Sequence, residues 1–345
     1  MHGAEPLAYV AGPPQVSARL KLAPEDFQVR ECLGFEPDGT GSHALLHVRK
    51  REANTEWVAR QLARHAGLPA SRVSFAGLKD RQAVTEQWFS VDLAGAVEPD
   101  WATLDVAGVS VLRAERHGRK LKRGALTGNR FHLRLRELSG PIDELEARLA
   151  RVTEQGVPNY FGPQRFGRDG ANLNGAEALF AGARIRDRHK RGMFLSAARS
   201  FLFNTVLSAR VAQGSWCTIL EGEALSLRGS RSFFVAEPGD TALAARLAAG
   251  DISPSGPLWG TGEALARAEA AALEHAVLEP YASWRAGLEA AGLRQERRAL
   301  RLLPDGLQWD WEDGDLVLEF QLPPGTYATA LVRELILSEP VSEPV

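Results

Sequence analysis

The order of periodicities along the chain predicts an α+β protein. A mixed or antiparallel sheet is built from both ends of the chain and is interrupted by a mostly helical insertion. Three observations carry this reading. Two-residue alternation dominates as far as Arg136, helical spacing dominates from Pro141 to Ala291, and alternation returns from Leu300. The 345 residues exceed what one ordinary core holds, so two domains are expected. Hydrophobic residues at 44% and charged residues at 24% describe an ordinary soluble chain.

The elements follow in order. Pro24-Glu-Asp-Phe-Gln-Val-Arg-Glu31 ends in an alternation that puts Phe27 and Val29 on one face, and reads as a strand. Gly39 to Ser42 turns the chain into a second strand at Ala44–Val48. Asn54-Thr55 caps a helix with Trp57, Val58 and Leu62 on its apolar face, stopped by Gly67 and Pro69. Val106–Arg113 and Asn129–Arg136 are further strands. In the second, Phe131, Leu133 and Leu135 share one face and His132, Arg134 and Arg136 the other. Pro141 opens a helix with Ile142, Leu145, Leu149 and Val152 in register, closing at Gly156. Asn174 is expected to cap a helix through Leu179, and Leu195–Val211 is a long helical pattern. Glu263–Ala291 is divided into two helices by Pro280. Leu316–Leu322 is a strand, Pro323-Pro-Gly325 a turn, and Ala328–Leu337 a closing amphipathic helix. Trp309 and Trp311 are expected in a core.

Several functional classes are disfavoured. Cys32 and Cys217 are the only cysteines and form no CxxC pair, so neither a disulfide framework nor a zinc cluster is expected. His43 and His47 share a strand face without a third ligand nearby, so no metal is expected there. Phosphate-loop and nucleophile-elbow patterns are absent. The first residues lack the features of a secretion signal and no apolar run approaches membrane length, so a cytoplasmic protein with no membrane partner is expected. No feature points to an obligate protein partner, and a monomer is the default. The net charge is −2, yet Arg113–Arg123 and Arg184–Arg191 are locally basic. Such patches suit a structured polyanion held in one place, or simply two solvated loops.

The stretch with most chemistry is Ser74–Gln87, Ser-Phe-Ala-Gly-Leu-Lys-Asp-Arg-Gln-Ala-Val-Thr-Glu-Gln. Gly77 breaks a short apolar run and delivers Lys79, Asp80 and Arg81 onto a loop between two strands. A cation on each side favours an ionised carboxylate, by about 1–3 pKa units when the contacts are close. That suits a nucleophile or electrostatic stabiliser rather than a proton donor.

Gly77-x-Lys-Asp-x-x-Ala-x-Thr-x-Gln87 resembles the catalytic motif of the TruD-type tRNA pseudouridine synthases. Four more stretches occur in that family's order: Pro24 to Glu31, Gly128-Asn-x-Phe131, Asn159-Tyr-Phe-Gly-x-Gln-Arg-Phe-Gly167, and Gly325-x-Tyr-Ala-Thr329 with Val332-Arg-Glu-Leu335. The resemblance implies a discontinuous pseudouridine-synthase catalytic domain at 1–154 and 304–345, with a TruD-specific domain inserted at 155–303. It implies isomerisation of uridine 13 in the tRNA D-arm, with base flipping and no cofactor. By the same resemblance Asp80 is the nucleophile, Lys21 its basic partner, and Phe131 the ring that stacks on the target base. Phe27, Asn129 and Tyr327 match positions that contact the substrate nucleotide. Arg116, Arg119, Lys120 and Arg165 are candidate RNA contacts. A catalytically silent RNA-binding protein is one rival. A nucleosidase is the other; it would need a second carboxylate, for which Glu31 and Glu86 are available.

Overall fold

Leu126–Ser139 is the longest strand, with partners on both sides, and in the computed structural model it organises a ten-stranded mixed sheet. The structure describes residues 6–122 and 124–339. The strand order runs Asp305–Glu312, Asp315–Leu322, Leu126–Ser139, Phe27–Leu33, Val84–Asp92, His43–Arg51, Val109–His117. Val73–Phe75 pairs antiparallel with Val84–Asp92, and Ser17–Leu20 pairs with the long strand and with Leu337–Glu339. Phe27–Leu33 against Val84–Asp92 and Ser17–Leu20 against Leu337–Glu339 are parallel, so the sheet is mixed. Its strands come from both ends of the chain, as the periodicities predict.

The expected alternation is present in the long strand. Phe131, Leu133 and Leu135 are buried, while Arg134 and Arg136 turn to the opposite face and share Asp315 at 2.7 and 3.0 Å. Helix Thr55–His65 covers part of the sheet. Val58 and Leu62 pack with Leu46, Val48, Phe89 and Val91, and Gly67 ends the helix in the left-handed region at φ 65°. Trp311 is 37% exposed and Trp309 half-buried, against the expectation of a core pair. Their strand, Asp305–Glu312, is the sheet edge, where a side chain has a neighbouring strand on one side only.

By Cα proximity the chain forms two compact units. The sheet unit comprises 16–141, 304–325 and the residues from 337. The second takes in the residues up to 15, 142–303 and 326–336. Helices Ile142–Gln155 and Ala328–Leu335 therefore belong with the second unit, whose edges differ from the 155–303 implied by the motifs.

The second unit has its own core of Phe201, Leu202, Val206, Trp259 and Trp284. An antiparallel sheet in the order Phe233–Val235, Ala224–Leu227, Ile252–Leu258, Glu296–Ala299 fills a stretch whose sequence has no clear period. Its long helix is Arg188–Ala212, beginning seven residues before the apolar pattern does. The exposed first turn, Arg188–Arg191, carries no hydrophobic residue; Asp187 caps it by accepting from the His189 and Lys190 amides. Those two bonds, Lys190's first, also hold the Asp187 carboxyl below its ordinary range. Asn174 lies inside helix Ala171–Phe180, whose cap position is Gly170 in the left-handed region at φ 73°. Pro280 sits in a 3-10 turn between helices Ala268–Leu278 and Ala282–Ala290. No helix among the described residues is long and apolar enough to cross a membrane.

Candidate active site

Asp80 lies on the connection between strands Val73–Phe75 and Val84–Asp92, with its side chain 35% exposed. The loop is fastened from beneath by buried polar groups. The Gln87 amide, wholly buried, donates to the Gly77 carbonyl at 2.6 Å. Its oxygen accepts from the Thr55 hydroxyl at 2.9 Å, and the Thr55 oxygen accepts from the Lys79 backbone N–H at 3.1 Å. This closed relay fixes the two residues flanking Leu78, and none of its groups is left unsatisfied.

Lys79 and Arg81 are expected from the sequence to flank the carboxylate, and the structure uses neither as its partner. The Lys79 ammonium turns inward to an ion pair with Glu31, whose side chain is fully buried and also accepts from the Trp88 amide at 2.8 Å. Burial raises the Glu31 pKa, against the pull of Lys79. The Asp80 partner is Lys21, 59 positions earlier, with Nζ 2.7 Å from Oδ2. Lys21 is a non-glycine residue in the left-handed region, at φ 67°. Such backbone costs energy and clusters at functional sites. It leaves strand Ser17–Leu20 there and turns its ammonium 4.0 Å over the Phe27 ring.

Phe27 meets Phe131 edge-on at 6.2 Å, and Phe131 stacks on Phe320 at 5.3 Å with planes 19° apart. The register aligns Phe131 with Phe320 on one side and Val29 on the other. Phe27 and Phe131 are therefore walls, 5% and 7% exposed, rather than free-standing rings. Two residues from Phe131, Asn129 has a buried Oδ1 with no hydrogen-bond partner among the described residues. A buried acceptor left open is costly unless something else comes to fill it.

The sequence profile of the family described as tRNA pseudouridine synthase D (TruD) matches residues 5–182 and 180–335. The chain belongs to the TruD family. Proteins named tRNA pseudouridine synthase D include one from Nitrosococcus oceani, 52% identical over 99% of this chain and 97% of its own. Another, from Xanthomonas euvesicatoria, is 53% identical over 93% of this chain and 91% of its own. In fold, the chain matches the crystal structure of a Methanosarcina mazei protein described as a candidate tRNA pseudouridine synthase D (TruD). That match has a TM-score of 0.72 at 21% identity and covers 95% of each chain.

The remaining candidate residues fall as follows. Tyr327 and Arg165 lie in the second compact unit, where the guanidinium donates to the Tyr327 hydroxyl at 2.8 Å and to Ser196 at 3.1 Å. Arg165 also lies 5.4 Å from the Phe161 ring centroid. In the sheet unit, Arg116 pairs with Glu98 at 2.8 Å. Arg119 and Lys120 stand exposed with no ion-pair partner among the described residues. His47 stacks on Trp88 at 4.6 Å with Nε2 3.6 Å from Glu86.

Glu31 and Glu86, the two candidate proton donors of a nucleosidase, are both engaged. Burial pushes Glu86 upward, but hydrogen bonds from Arg30 at 2.5 Å and Arg49 at 2.8 Å prevail and hold it below its ordinary range. Sequence reasoning alone misses the hydrogen bonds that Thr55, Gln87 and Lys50 make to the loop, the last from Nζ to the Asp80 backbone carbonyl at 3.1 Å. In the sequence Thr55 is a helix-capping signal, Gln87 the end of a motif, and Lys50 one of few lysines. The available signal is Lys50 itself, a lysine on the apolar side of an alternating strand.

Proposed function

We propose that this protein isomerises uridine to pseudouridine in tRNA, at position 13 of the D-arm, with Asp80 as the nucleophile and no cofactor. One observation carries the assignment of the chemistry: an accessible carboxylate on a rigidly fastened loop, 2.7 Å from an ammonium that lies over an aromatic wall. Isomerisation breaks the N1–C1′ bond, joins C1′ to C5, releases the C5 proton to solvent and places a proton on the freed N1. Substrate and product have the same atoms and oxidation state, so the balance calls for no co-reactant.

Attack at C1′, attack at C6 and removal of the 2′ proton all need an ionised carboxylate, and the Lys21 ammonium lies 2.7 Å from the one Asp80 offers. Phe27 and Phe131 line the floor against which the detached uracil turns, and the open Asn129 acceptor takes an N–H or O–H of the nucleotide. A uridine stacked in folded RNA must be extruded first, at a cost of a few kcal/mol. Phosphate contacts offset part of that, with Arg119, Lys120 and Arg165 as the cations proposed for it. In this reading 1–154 and 304–345 act as the catalytic domain, 155–303 as the inserted TruD domain, and Tyr327 contacts the nucleotide. The protein works as a monomer in the cytoplasm.

The test is to incubate the protein with unmodified tRNA and map pseudouridine while assaying free uracil. The proposal expects one pseudouridine, at position 13, and no free base. A mobility shift without product would make the protein a binder, and release of uracil would make it a nucleosidase.

A further inference from the structure

We propose that Lys50 is a positioning residue for Asp80, a buried cation that clamps the backbone of the catalytic loop and supplies part of the field in which the carboxylate works. The proposal rests on Asp80 being the reacting group.

Strand His43–Arg51 alternates, and Ala44, Leu46 and Val48 place their side chains in the core. The next position on that face calls for an apolar residue. It holds Lys50, with no exposed surface. Its Nζ donates to the Ala53 carbonyl at 2.6 Å and to the backbone carbonyl of Asp80 at 3.1 Å. Both acceptors are neutral, and no carboxylate among the described residues lies within ion-pair distance of it. A buried ammonium without a contacting counter-ion is among the most expensive groups a core can hold. Packing alone would be served better by methionine, which has similar length and no charge.

What the charge gains in return is its place against the loop. Asp80 and Glu31 favour the charged form, Lys79 opposes it, and burial dominates, so the Lys50 pKa falls from its ordinary 10.5 to about 8. Lys21 reaches the Asp80 carboxylate from the accessible side, whereas Lys50 holds the same residue by its main chain from the core. Between them they fix both ends of the residue. Native Lys50 releases its proton near pH 8, whereas the unfolded chain keeps it to about 10.5. Across that window the unfolded state binds more protons, so the Lys50 contribution to stability rises with pH. The contribution to catalysis falls over the same window, as the charge disappears.

The experiment compares wild type, Lys50→Met and Lys50→Arg for kcat on tRNA, tRNA affinity and melting temperature from pH 6.5 to 9.5. For Lys50→Met we expect an unchanged or higher melting temperature below pH 8 and tRNA affinity close to wild type. We expect kcat reduced about 10- to 100-fold, the scale of a misplaced reacting group. The wild-type kcat should decline through about pH 8, and that limb should be missing from Lys50→Met and moved upward in Lys50→Arg. Should Lys50→Met not fold, Lys50→Gln retains N–H donors without the charge and should show the same loss of kcat and of the limb.

Undiminished kcat in a folded neutral variant would overturn the proposal. So would kcat and melting temperature falling together with the wild-type pH profile intact, the mark of a merely structural lysine. A wild-type enzyme that forms no pseudouridine sinks the parent reading. An active wild type with an equally active Lys50→Met sinks this one alone.

Discussion

Two loops of the sheet unit carry clustered charge, and the structure treats them oppositely. In the loop that holds Asp80, the cation before it is taken by buried Glu31 and the carboxylate by a distant lysine. In the segment after His117, Arg119 and Lys120 remain in solvent without an acidic partner among the described residues. A charge run in sequence therefore has no fixed meaning. What separates a reactive centre from a solvated patch is the set of partners: Thr55, Gln87, Glu31, Lys50 and Lys21 for the first loop, and, among the described residues, none for the two exposed cations of the second.

If that contrast is right, substitutions among the partners of Asp80 should change rate, and substitutions in the solvated loop should change only salt-dependent affinity. Lys21→Met has the largest expected effect. It removes the cation 2.7 Å from the carboxylate, and kcat should fall about 10²-fold, comparable with losing one electrostatic stabiliser in a closed site. Steady-state kinetics with a parallel binding assay checks this, and a loss confined to affinity would move Lys21 to the RNA-binding side of the comparison. Gln87→Leu comes next. It strands the Gly77 carbonyl and the Thr55 hydroxyl, so stability should drop by about 1–3 kcal/mol and kcat with it. Denaturant unfolding measures the first, and unchanged stability would mean the relay is not fastening the loop. The smallest effect is expected for Arg119→Ser with Lys120→Ser. The log–log salt slope of tRNA binding should become shallower by about 1–2, at roughly 0.9 for each phosphate no longer neutralised. Arg116→Ser, whose side chain is already paired with Glu98, should leave the slope alone. A larger change for Arg116 than for the exposed pair would erase the distinction.

Much of this is legible in the sequence where neighbours in sequence are also neighbours in space. The alternation over Phe131–Arg136 requires only a strand with one buried face, and it is there. The motif glycine and the apolar runs beside it place Asp80 on a loop between strands. The partner of Lys79 is not legible, because Glu31 is 48 positions away and only the sheet topology brings it close. The start of helix Arg188–Ala212 is hidden because its first turn is solvated and carries no apolar residue, so only the cap at Asp187 marks it. Trp309 and Trp311 depart from the expected core because hydrophobicity does not say which strand will be an edge. Lys50 is visible as an anomaly in an apolar alternation, but its meaning depends on knowing whose carbonyl it meets.

The sharpest measurement follows the proton that must leave C5. Transcripts of a tRNA carrying [5-³H]uridine, mixed with enzyme in excess, should release one tritium per tRNA from position 13 with wild type. With Asp80→Asn they should release none, although the variant binds the tRNA with the same affinity and melts cooperatively. Tritium release by Asp80→Asn at the wild-type rate would contradict the account at its centre.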